Sequence, residues 1–77
     1  MKYTIYGKPG CIFCVKAKKL LDRHNLKYDY VDLEEDHQAM YFVREVLNAR
    51  KVPQIMKNND DGSAEYIGGY DDLKETF

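Results

Sequence analysis

The sequence predicts a small α/β protein whose four strands and three helices follow one another in the order β-α-β-α-β-β-α. Two observations carry this prediction. Segments rich in β-forming residues alternate with segments of helical periodicity through the first half of the chain. A cluster of turn-forming residues at positions 58–62 then separates two short apolar segments, which indicates a hairpin. Because a chain of 77 residues is close to the lower limit for one hydrophobic core, we expect a single domain over residues 1–77.

The first three elements follow from composition and spacing. Residues 2–6 are mostly β-formers and predict a strand, and residues 7–10, which contain glycine and proline, predict a turn. From residue 12 to about residue 24 the apolar positions recur at helical spacing, and Asn25 is suited to close this helix in the left-handed conformation. The expected apolar stripe of the helix comprises Cys14, Ala17, Leu20 and Leu21. Residues 27–32, where tyrosines alternate with charged residues, suit a second strand.

The second helix is predicted between the second and third strands. Residues 34–36 are all acidic, and negative charge is favourable at a helix N-terminus. The apolar face of the segment consists of Ala39, Val43, Val46 and Leu47. Arg50 and Lys51 then bring positive charge to the expected C-terminal end, so we expect the helix to extend almost to these residues.

The last third of the chain predicts a hairpin and a short helix. Residues 52–57 and 65–67 are the two strands, and a pair of glycines ends the second one. Leu73 and Phe77, four residues apart, are expected on one face of the final helix. The first two strands are joined through a helix, which predicts a parallel pair with a right-handed crossover, whereas the hairpin adds an antiparallel pair.

Composition and charge argue against several classes of protein. Twelve Lys and Arg residues against thirteen Asp and Glu residues leave a net charge of -1, without the basic excess of a nucleic-acid-binding protein. No apolar run approaches the roughly 20 residues of a membrane span, and the polar segment after Lys2 does not resemble a signal peptide. We therefore expect a soluble, cytoplasmic protein with neither a nucleic-acid nor a membrane partner.

Two cysteines, Cys11 and Cys14, stand at the start of the first predicted helix. Thiol–disulfide exchange requires a thiolate, and a cysteine with the ordinary pKa of about 8.5 supplies little of it at neutral pH. The free N–H groups and the dipole of a helix N-terminus favour a negative charge on Cys11, and Lys8 adds a nearby cation. Cys14 lies one turn further along on the inward face. The pattern therefore predicts a redox pair in which Cys11 is the nucleophile and Cys14 the resolving thiol.

Two other interpretations of the cysteine pair remain open. A purely structural disulfide would close a very short loop, so its stabilisation through chain entropy would be small. A structural zinc site would need His24 and His37 as further ligands, because zinc takes four. Their spacing from the cysteines fits no zinc-finger pattern, and we expect no resident metal.

Three motifs occur in order along the chain. They are Lys8 followed by Cys11-Ile12-Phe13-Cys14, then Val52-Pro53-Gln54-Ile55, and then Gly68-Gly69-Tyr70-Asp71-Asp72-Leu73. Together they resemble the glutaredoxins, especially the short bacteriophage ones, over nearly the whole chain. The resemblance implies a thioredoxin-like fold with strand order 2-1-3-4, glutathione as the reductant and co-substrate, and a cis peptide bond before Pro53. It also implies protein disulfides as substrates, with ribonucleotide reductase as a candidate partner.

The resemblance further implies a glutathione site next to Cys11. In the family, the backbone at the position of Val52 pairs with the extended glutathione peptide as an added strand would. The N–H groups at the start of the last helix, around Asp71 and Asp72, face the γ-glutamyl carboxylate, and the Asp72 carboxylate faces the γ-glutamyl ammonium. Lys8 lies near both the Cys11 thiolate and the glycyl carboxylate. The residues that the resemblance assigns to glutathione are Lys8, Phe13, Val52, Pro53, Asp71 and Asp72.

The chain departs from the family pattern at three places. Ile12-Phe13 stands between the cysteines where Pro-Tyr is common, and Lys51 replaces the threonine that usually precedes Val-Pro. Met40 takes a second-helix position that often holds Gln or Arg for the glycyl carboxylate. Two outcomes follow for that contact: it is missing, or it passes to Arg50 or Lys51.

Three alternatives to a glutathione-dependent enzyme remain. A redoxin reduced by thioredoxin reductase has no need of a γ-glutamyl site, so residues 68–72 speak against it. Some glutaredoxins without the motif proline hold a [2Fe–2S] cluster between two subunits through the first cysteine and glutathione. A pure protein-interaction domain would leave Cys11 with ordinary reactivity. The motifs favour a monomeric, glutathione-dependent oxidoreductase.

Overall fold

The computed structural model describes the whole chain, Met1–Phe77. Its elements are β1 (Lys2–Gly7), α1 (Ile12–Arg23), β2 (Tyr28–Asp32), α2 (His37–Tyr41) continued by a π-helical turn (Phe42–Val46), β3 (Gln54–Asn58), β4 (Ala64–Gly68) and α3 (Tyr70–Glu75). This succession confirms the predicted order of strands and helices. None of the helices has the length and apolar character that crossing a membrane requires.

The four strands form one mixed sheet in the order β2-β1-β3-β4. The pair β1–β2 is parallel, while β1–β3 and β3–β4 are antiparallel. In the centre of the sheet, Ile5 lies opposite Tyr30 on one side and Ile55 on the other. The predicted fold class, a thioredoxin-like α/β fold with strand order 2-1-3-4, is confirmed.

The main hydrophobic core lies between the sheet and helices α1 and α3. Its buried members are Tyr3, Ile5, Ala17, Leu20, Leu21, Ile55 and Leu73. Side chains alternate between the two faces of a strand, so Tyr6 points away from this core, and its ring meets that of Phe42 at 5.6 Å. Segment 37–46 therefore covers the opposite face of the sheet.

The end of α1 agrees with the sequence, whereas the end of α3 does not. His24 caps α1, and Asn25 adopts the predicted left-handed conformation with φ of 56°. Phe77 was expected inside the last helix, but α3 ends at Glu75. The Thr76 hydroxyl donates to the carbonyl of Leu73 at 2.7 Å, and Phe77 stacks on the His24 ring at 4.1 Å, so the chain turns back toward α1.

The second helix is shorter than the positive charge of Arg50 and Lys51 predicted. It ends at Val46, because Asn48 turns the chain with φ of 55° and the Ala49 N–H closes on the carbonyl of Val43 at 3.0 Å. Arg50 and Lys51, expected at the end of this helix, lie instead in the loop that leads to β3. The strand itself begins at Gln54 rather than residue 52, since proline has no N–H to donate to a sheet.

Candidate active site

Cys11 occupies the N-cap of α1, at the carboxyl end of β1 and the turn that follows it. Its backbone is extended, with φ of -94° and ψ of 111°, and its sulfur accepts a hydrogen bond from the Cys14 N–H at 3.2 Å. No acidic residue stands in the first turn of the helix to oppose a negative charge there. The sequence prediction that Cys11 begins the helix is confirmed, and its sulfur lies where a helix favours an anion.

Cys14 lies one turn further along and faces the core. The two cysteines are joined in a disulfide, with their Cα atoms 5.2 Å apart. Cys14 is only 1% exposed, whereas Cys11 is partly exposed. A molecule in solution therefore reaches Cys11 first, and only a group already bonded to Cys11 is within reach of Cys14.

Gly7, the last residue of β1, makes room for this arrangement. A Cβ atom at Gly7 would lie 2.8 Å from the Cys14 sulfur and closer still to the Tyr30 hydroxyl. Real side chains do not approach so closely, so only glycine fits here without a shift of its neighbours. The side chains of Cys14 and Tyr30 therefore pack directly against the backbone of Gly7.

Val52 and Pro53 lie beside the redox pair and are joined by the cis peptide bond that the resemblance implied. The Val52 carbonyl oxygen is 3.9 Å from the Cys11 sulfur. Val52 stands outside β3, so its backbone groups have no partner strand in the sheet. A short extended peptide can therefore pair with Val52 while its own sulfur approaches Cys11.

Gln54 and Tyr66 fix the loop that carries Val52, a role that the sequence did not reveal. The buried Gln54 amide donates to the Lys51 carbonyl at 2.8 Å, and the Tyr66 hydroxyl donates to the Gln54 side-chain oxygen. Burial raises the pKa of Tyr66, and the charge of Asp72 raises it further, so the hydroxyl stays protonated and remains a donor. The available signal was a polar residue inside the strand predicted over residues 52–57.

Tyr30 is a second residue whose part in the site was missed. Its hydroxyl donates to the Lys8 carbonyl at 3.0 Å, and the Lys18 ammonium lies 4.2 Å from its ring centre. Burial raises the pKa of Tyr30, with Asp32 adding to the effect, which keeps the donor proton in place. Tyr30 therefore ties β2 to the turn before Cys11. The parallel pairing of β1 with β2, predicted from the crossover, was the signal that placed it there.

A groove of about 440 Å³ runs from Val52 to the start of α3, and we call it the α3 groove. Its lining includes Phe13, Val52, Pro53, Gly69, Asp71 and Asp72. The Phe13 and Tyr70 rings meet at 5.8 Å and form an aromatic wall, with the Lys16 ammonium 5.0 Å from the Phe13 ring centre. The structure thus brings together five of the six residues that the resemblance assigns to glutathione.

Asp72 also has a structural task in the α3 groove. Its Oδ2 atom accepts a hydrogen bond from the Gly69 N–H at 2.9 Å, which caps α3. Gly68 has φ of 114°, and a Cβ atom there would collide with this carboxylate. The glycine pair therefore allows the chain to fold tightly against Asp72, whose other oxygen is not used by the cap.

A second groove, of about 340 Å³, lies on the other side of Val52 against α2, and we call it the α2 groove. Its lining includes Lys8, Met40, Arg44, Arg50, Lys51 and Val52. Lys8, the sixth residue implied for glutathione, lies here together with the two candidates for the glycyl carboxylate, Arg50 and Lys51. Arg44 is an additional cation that the sequence did not single out.

The histidines lie apart from the cysteines. His24 is at the far end of α1, stacked on Phe77, and His37 begins α2. No group of three or more His, Cys, Asp or Glu side chains comes together in a way that would hold a metal ion.

These features define a class of protein: a thioredoxin-like fold that carries a Cys-x-x-Cys pair at a helix N-terminus beside a cis-proline loop. The family model described as Glutaredoxin matches residues 3–61. Glutaredoxin 1 of Escherichia coli is 30% identical over 80 residues, which cover 95% of this chain and 88% of that protein. The chain belongs to the glutaredoxin family.

The chain spans only part of the length of other relatives that it matches. The hybrid peroxiredoxin hyPrx5 of Haemophilus influenzae is 38% identical over 74 residues, covering 96% of this chain and 28% of its own length. The Gene 56 protein of Mycobacterium phage D29 is 39% identical over 56 residues, covering 73% of this chain and 62% of its own length. Among solved structures, a glutaredoxin from Brucella melitensis has a TM-score of 0.75 at 28% identity, with 97% of this chain and 76% of that chain covered.

Proposed function

We propose that the protein is a glutathione-dependent thiol–disulfide oxidoreductase, which reduces protein disulfides and glutathione mixed disulfides. The observation that carries the proposal is the position of the two sulfurs. Cys11 is a partly exposed N-cap whose sulfur accepts the Cys14 N–H, and Cys14 is buried directly behind it. A hydrogen bond to sulfur and the helix dipole both stabilise a thiolate more than a thiol.

The first step is an exchange of one disulfide for another. The Cys11 thiolate attacks one sulfur of the substrate disulfide, so that a Cys11–substrate disulfide forms while the substrate S–S bond breaks. The second substrate sulfur leaves as a thiolate and takes up a proton from solvent. No electrons are lost at this stage, since the mixed disulfide is as oxidised as the one that was broken.

The second step depends on the substrate. With a protein disulfide, the Cys14 thiolate attacks the Cys11 sulfur, releases the reduced protein and leaves the Cys11–Cys14 disulfide. Two glutathione molecules then reduce that disulfide in two exchanges and depart as oxidised glutathione. With a glutathione mixed disulfide, a second glutathione attacks the glutathione held on Cys11. The dithiol route oxidises two glutathione thiols for each protein disulfide. The second route consumes one glutathione thiol, because the other half of the oxidised glutathione comes from the substrate, and the Cys11 thiolate is regenerated.

Glutathione is proposed to lie along Val52 with its two ends in the two grooves. The cysteine of glutathione pairs with the Val52 backbone. The Val52 carbonyl oxygen lies 3.9 Å from the Cys11 sulfur, so this pairing brings the glutathione sulfur close to Cys11. The γ-glutamyl end enters the α3 groove, where Asp71 and the free oxygen of Asp72 attract its ammonium. Phe13 and Pro53 supply apolar contacts on the same side.

The glycyl carboxylate is proposed to lie at the edge of the α2 groove. Lys8 and Lys51 both line that groove, and Lys51 also borders the α3 groove, so it stands next to the path between them. Met40 is uncharged and cannot form an ion pair with the glycyl carboxylate. Lys51 and Arg50 therefore take over the contact that Gln or Arg makes at the position of Met40 in other glutaredoxins.

We further propose a monomer in a reducing compartment such as the cytoplasm, because a dithiol enzyme of this kind has to be returned to its reduced form. Disulfide-containing proteins are the partners, and ribonucleotide reductase is the candidate that the family suggests. Neither a nucleic-acid nor a membrane partner is proposed.

The test of this function replaces each cysteine in turn. Cys11→Ser abolishes turnover with every substrate, because the nucleophile is lost. Cys14→Ser retains the reduction of a glutathione mixed disulfide but loses the reduction of protein disulfides, because only the second needs a resolving thiol. Both are measured with glutathione, glutathione reductase and NADPH. Equal loss in both variants with both substrates would refute the assigned roles.

The same assay separates the alternatives. Turnover that requires thioredoxin reductase in place of glutathione and glutathione reductase identifies a redoxin instead. A brown protein with visible absorbance after anaerobic purification identifies a [2Fe–2S] module. A Cys11 that reacts with iodoacetamide no faster than free cysteine identifies an interaction domain.

A further inference from the structure

The α2 groove has a cationic rim with more positive charge than the single glycyl carboxylate of glutathione needs, and Arg44 has no part in the proposed glutathione site. Its charged lining consists of Lys8, Arg44, Arg50 and Lys51, with Glu34 as the one carboxylate. The chain as a whole carries a net charge of -1, so this concentration does not reflect a basic protein. Positive charge is gathered in a groove that Val52 also lines, and the Val52 carbonyl lies 3.9 Å from the Cys11 sulfur.

These cations have no partner within the chain. The two ion pairs of the structure lie at its N-terminus, from the Met1 amino group to Asp60 and from Lys2 to Asp29. All four groove cations are exposed. An incoming carboxylate therefore breaks no existing ion pair, and the costs of binding are the partial desolvation of the charges and the ordering of long side chains.

The floor of the α2 groove is apolar. Leu33 and Val43 are only 3% and 2% exposed, and Met40 and Ala49 are half-buried beside them. A free inorganic anion gains nothing from such a floor. A peptide segment gains from both parts, because its backbone and aliphatic carbons cover the floor while its side-chain carboxylates meet the rim.

The direction of a bound chain follows from the placement of glutathione along Val52. The part that precedes the cysteine occupies the α3 groove, which carries Asp71 and Asp72, and the part that follows the cysteine enters the α2 groove. In glutathione, only one glycine follows the cysteine, and it ends at the edge of the α2 groove. Residues further along a longer chain come within reach of Arg44 and Arg50.

We propose that the α2 groove binds an acidic segment that directly follows the reactive cysteine of a protein disulfide. The inference rests on the proposed function and adds a substrate class to it. Arg44 and Arg50 are specificity residues that select such proteins and bring their cysteine to Cys11. The charge of the α3 groove has the opposite sign, so acidic residues before the cysteine are not favoured.

The test is a competition between two peptide disulfides on the Cys14→Ser protein. The peptides are symmetric disulfides that differ only in the two residues after cysteine, Glu-Glu in one and Gln-Gln in the other. The Cys11 thiolate forms a mixed disulfide with one peptide and releases the other half as a thiol. Mass spectrometry of the two products at early times gives the ratio of the second-order rate constants. The same competition with 2-mercaptoethanol in place of the protein gives the intrinsic ratio, that is, the relative reactivity of the two peptide disulfides toward a small thiol.

The acidic peptide is expected to be favoured about tenfold over the intrinsic ratio at low salt, at about threefold for each carboxylate–cation pair. Salt at 1 M shortens the screening length to about 3 Å and should remove most of the preference. Arg44→Gln and Arg50→Gln should each lower the preference about threefold. Arg23→Gln, which removes an exposed cation at the distant end of α1, should leave it unchanged.

The outcomes separate the two proposals. If both peptides react with Cys11 at the intrinsic ratio, the oxidoreductase function stands and the acidic-segment inference is overturned. The inference is also overturned if Arg23→Gln lowers the preference as much as Arg44→Gln, since only net charge would then matter. If neither peptide forms a mixed disulfide while denatured protein exposes a reactive thiol, the proposed function fails and the inference falls with it.

Discussion

Helices α1 and α2 differ in how firmly they are fixed to the sheet, and the difference matches what each contributes to the site. Helix α1 buries Cys14, Ala17, Leu20 and Leu21 against the sheet. Helix α2 buries no residue over His37–Tyr41, and the π-helical turn that continues it buries only Val43. The redox pair, which needs fixed geometry, stands on the firmly packed helix.

The lightly packed helix carries groups whose task tolerates movement. Arg44 and Met40 lie on the side of the α2 segment that lines the groove, where the proposed task of the side chains is to bind a substrate segment. Long-range attraction between charges does not require a precise geometry. The redox pair thus stands on the helix with more buried residues, and the proposed recognition groups stand on the helix with fewer, which we expect to be the less stable of the two.

The largest expected effect compares the cores beneath the two helices. Leu21→Ala should lower the free energy of unfolding by about 2–5 kcal/mol, because Leu21 is fully buried and its loss leaves a cavity. Val43→Ala should cost about 1–2 kcal/mol, from the two methyl groups removed. Urea denaturation followed by circular dichroism measures both. An equal cost for the two variants would contradict the comparison.

An intermediate effect is expected at the junction of β1 and α1. Gly7→Ala places a methyl group against the Cys14 sulfur and the Tyr30 hydroxyl, and overpacking of this kind costs about 1–3 kcal/mol. Gly69→Ala is the matched control, since its Cβ would make ordinary van der Waals contacts, with the Pro53 carbonyl at 3.7 Å and the Asp72 carboxylate at 3.9 Å. Thermal unfolding should separate the two variants clearly. If the Gly7→Ala protein is as stable as the control, the Cys14 and Tyr30 side chains shift at little energetic cost, and the predicted overpacking is wrong.

The smallest effect is expected at the start of α2. The Asp36 carboxylate accepts the Ala39 N–H at 3.0 Å, and loss of such an N-cap costs about 1 kcal/mol. Asp36→Ala should therefore speed amide hydrogen exchange in α2 while leaving α1 unchanged. Asp36→Asn keeps a capping oxygen and should behave nearly as the original protein does. Equal acceleration in both helices would indicate that they unfold as one unit.

Much of the fold was readable from local signals. The N-cap position of Cys11, the stripe that buries Cys14 and the left-handed Asn25 all depend on residues within one or two helical turns, and all three agree with the structure. The predicted ends of α2 and α3 were wrong. Asn48 turns the chain before Arg50 and Lys51, and Phe77 stacks on His24 instead of continuing the apolar face of α3. The single-domain prediction over residues 1–77 stays a prediction.

The sequence by itself determined the redox pair, its place at a helix start and the order of strands and helices, since each of these follows from residue type and short spacing. Tertiary structure alone decided that Gln54 and Tyr66 fix the Val52 loop, that Tyr30 holds the turn before Cys11 and that Arg44 joins Arg50 in one groove. These contacts join residues from different elements, and their distances depend on how the helices pack on the sheet. No local pattern specifies that packing to the precision of a hydrogen bond.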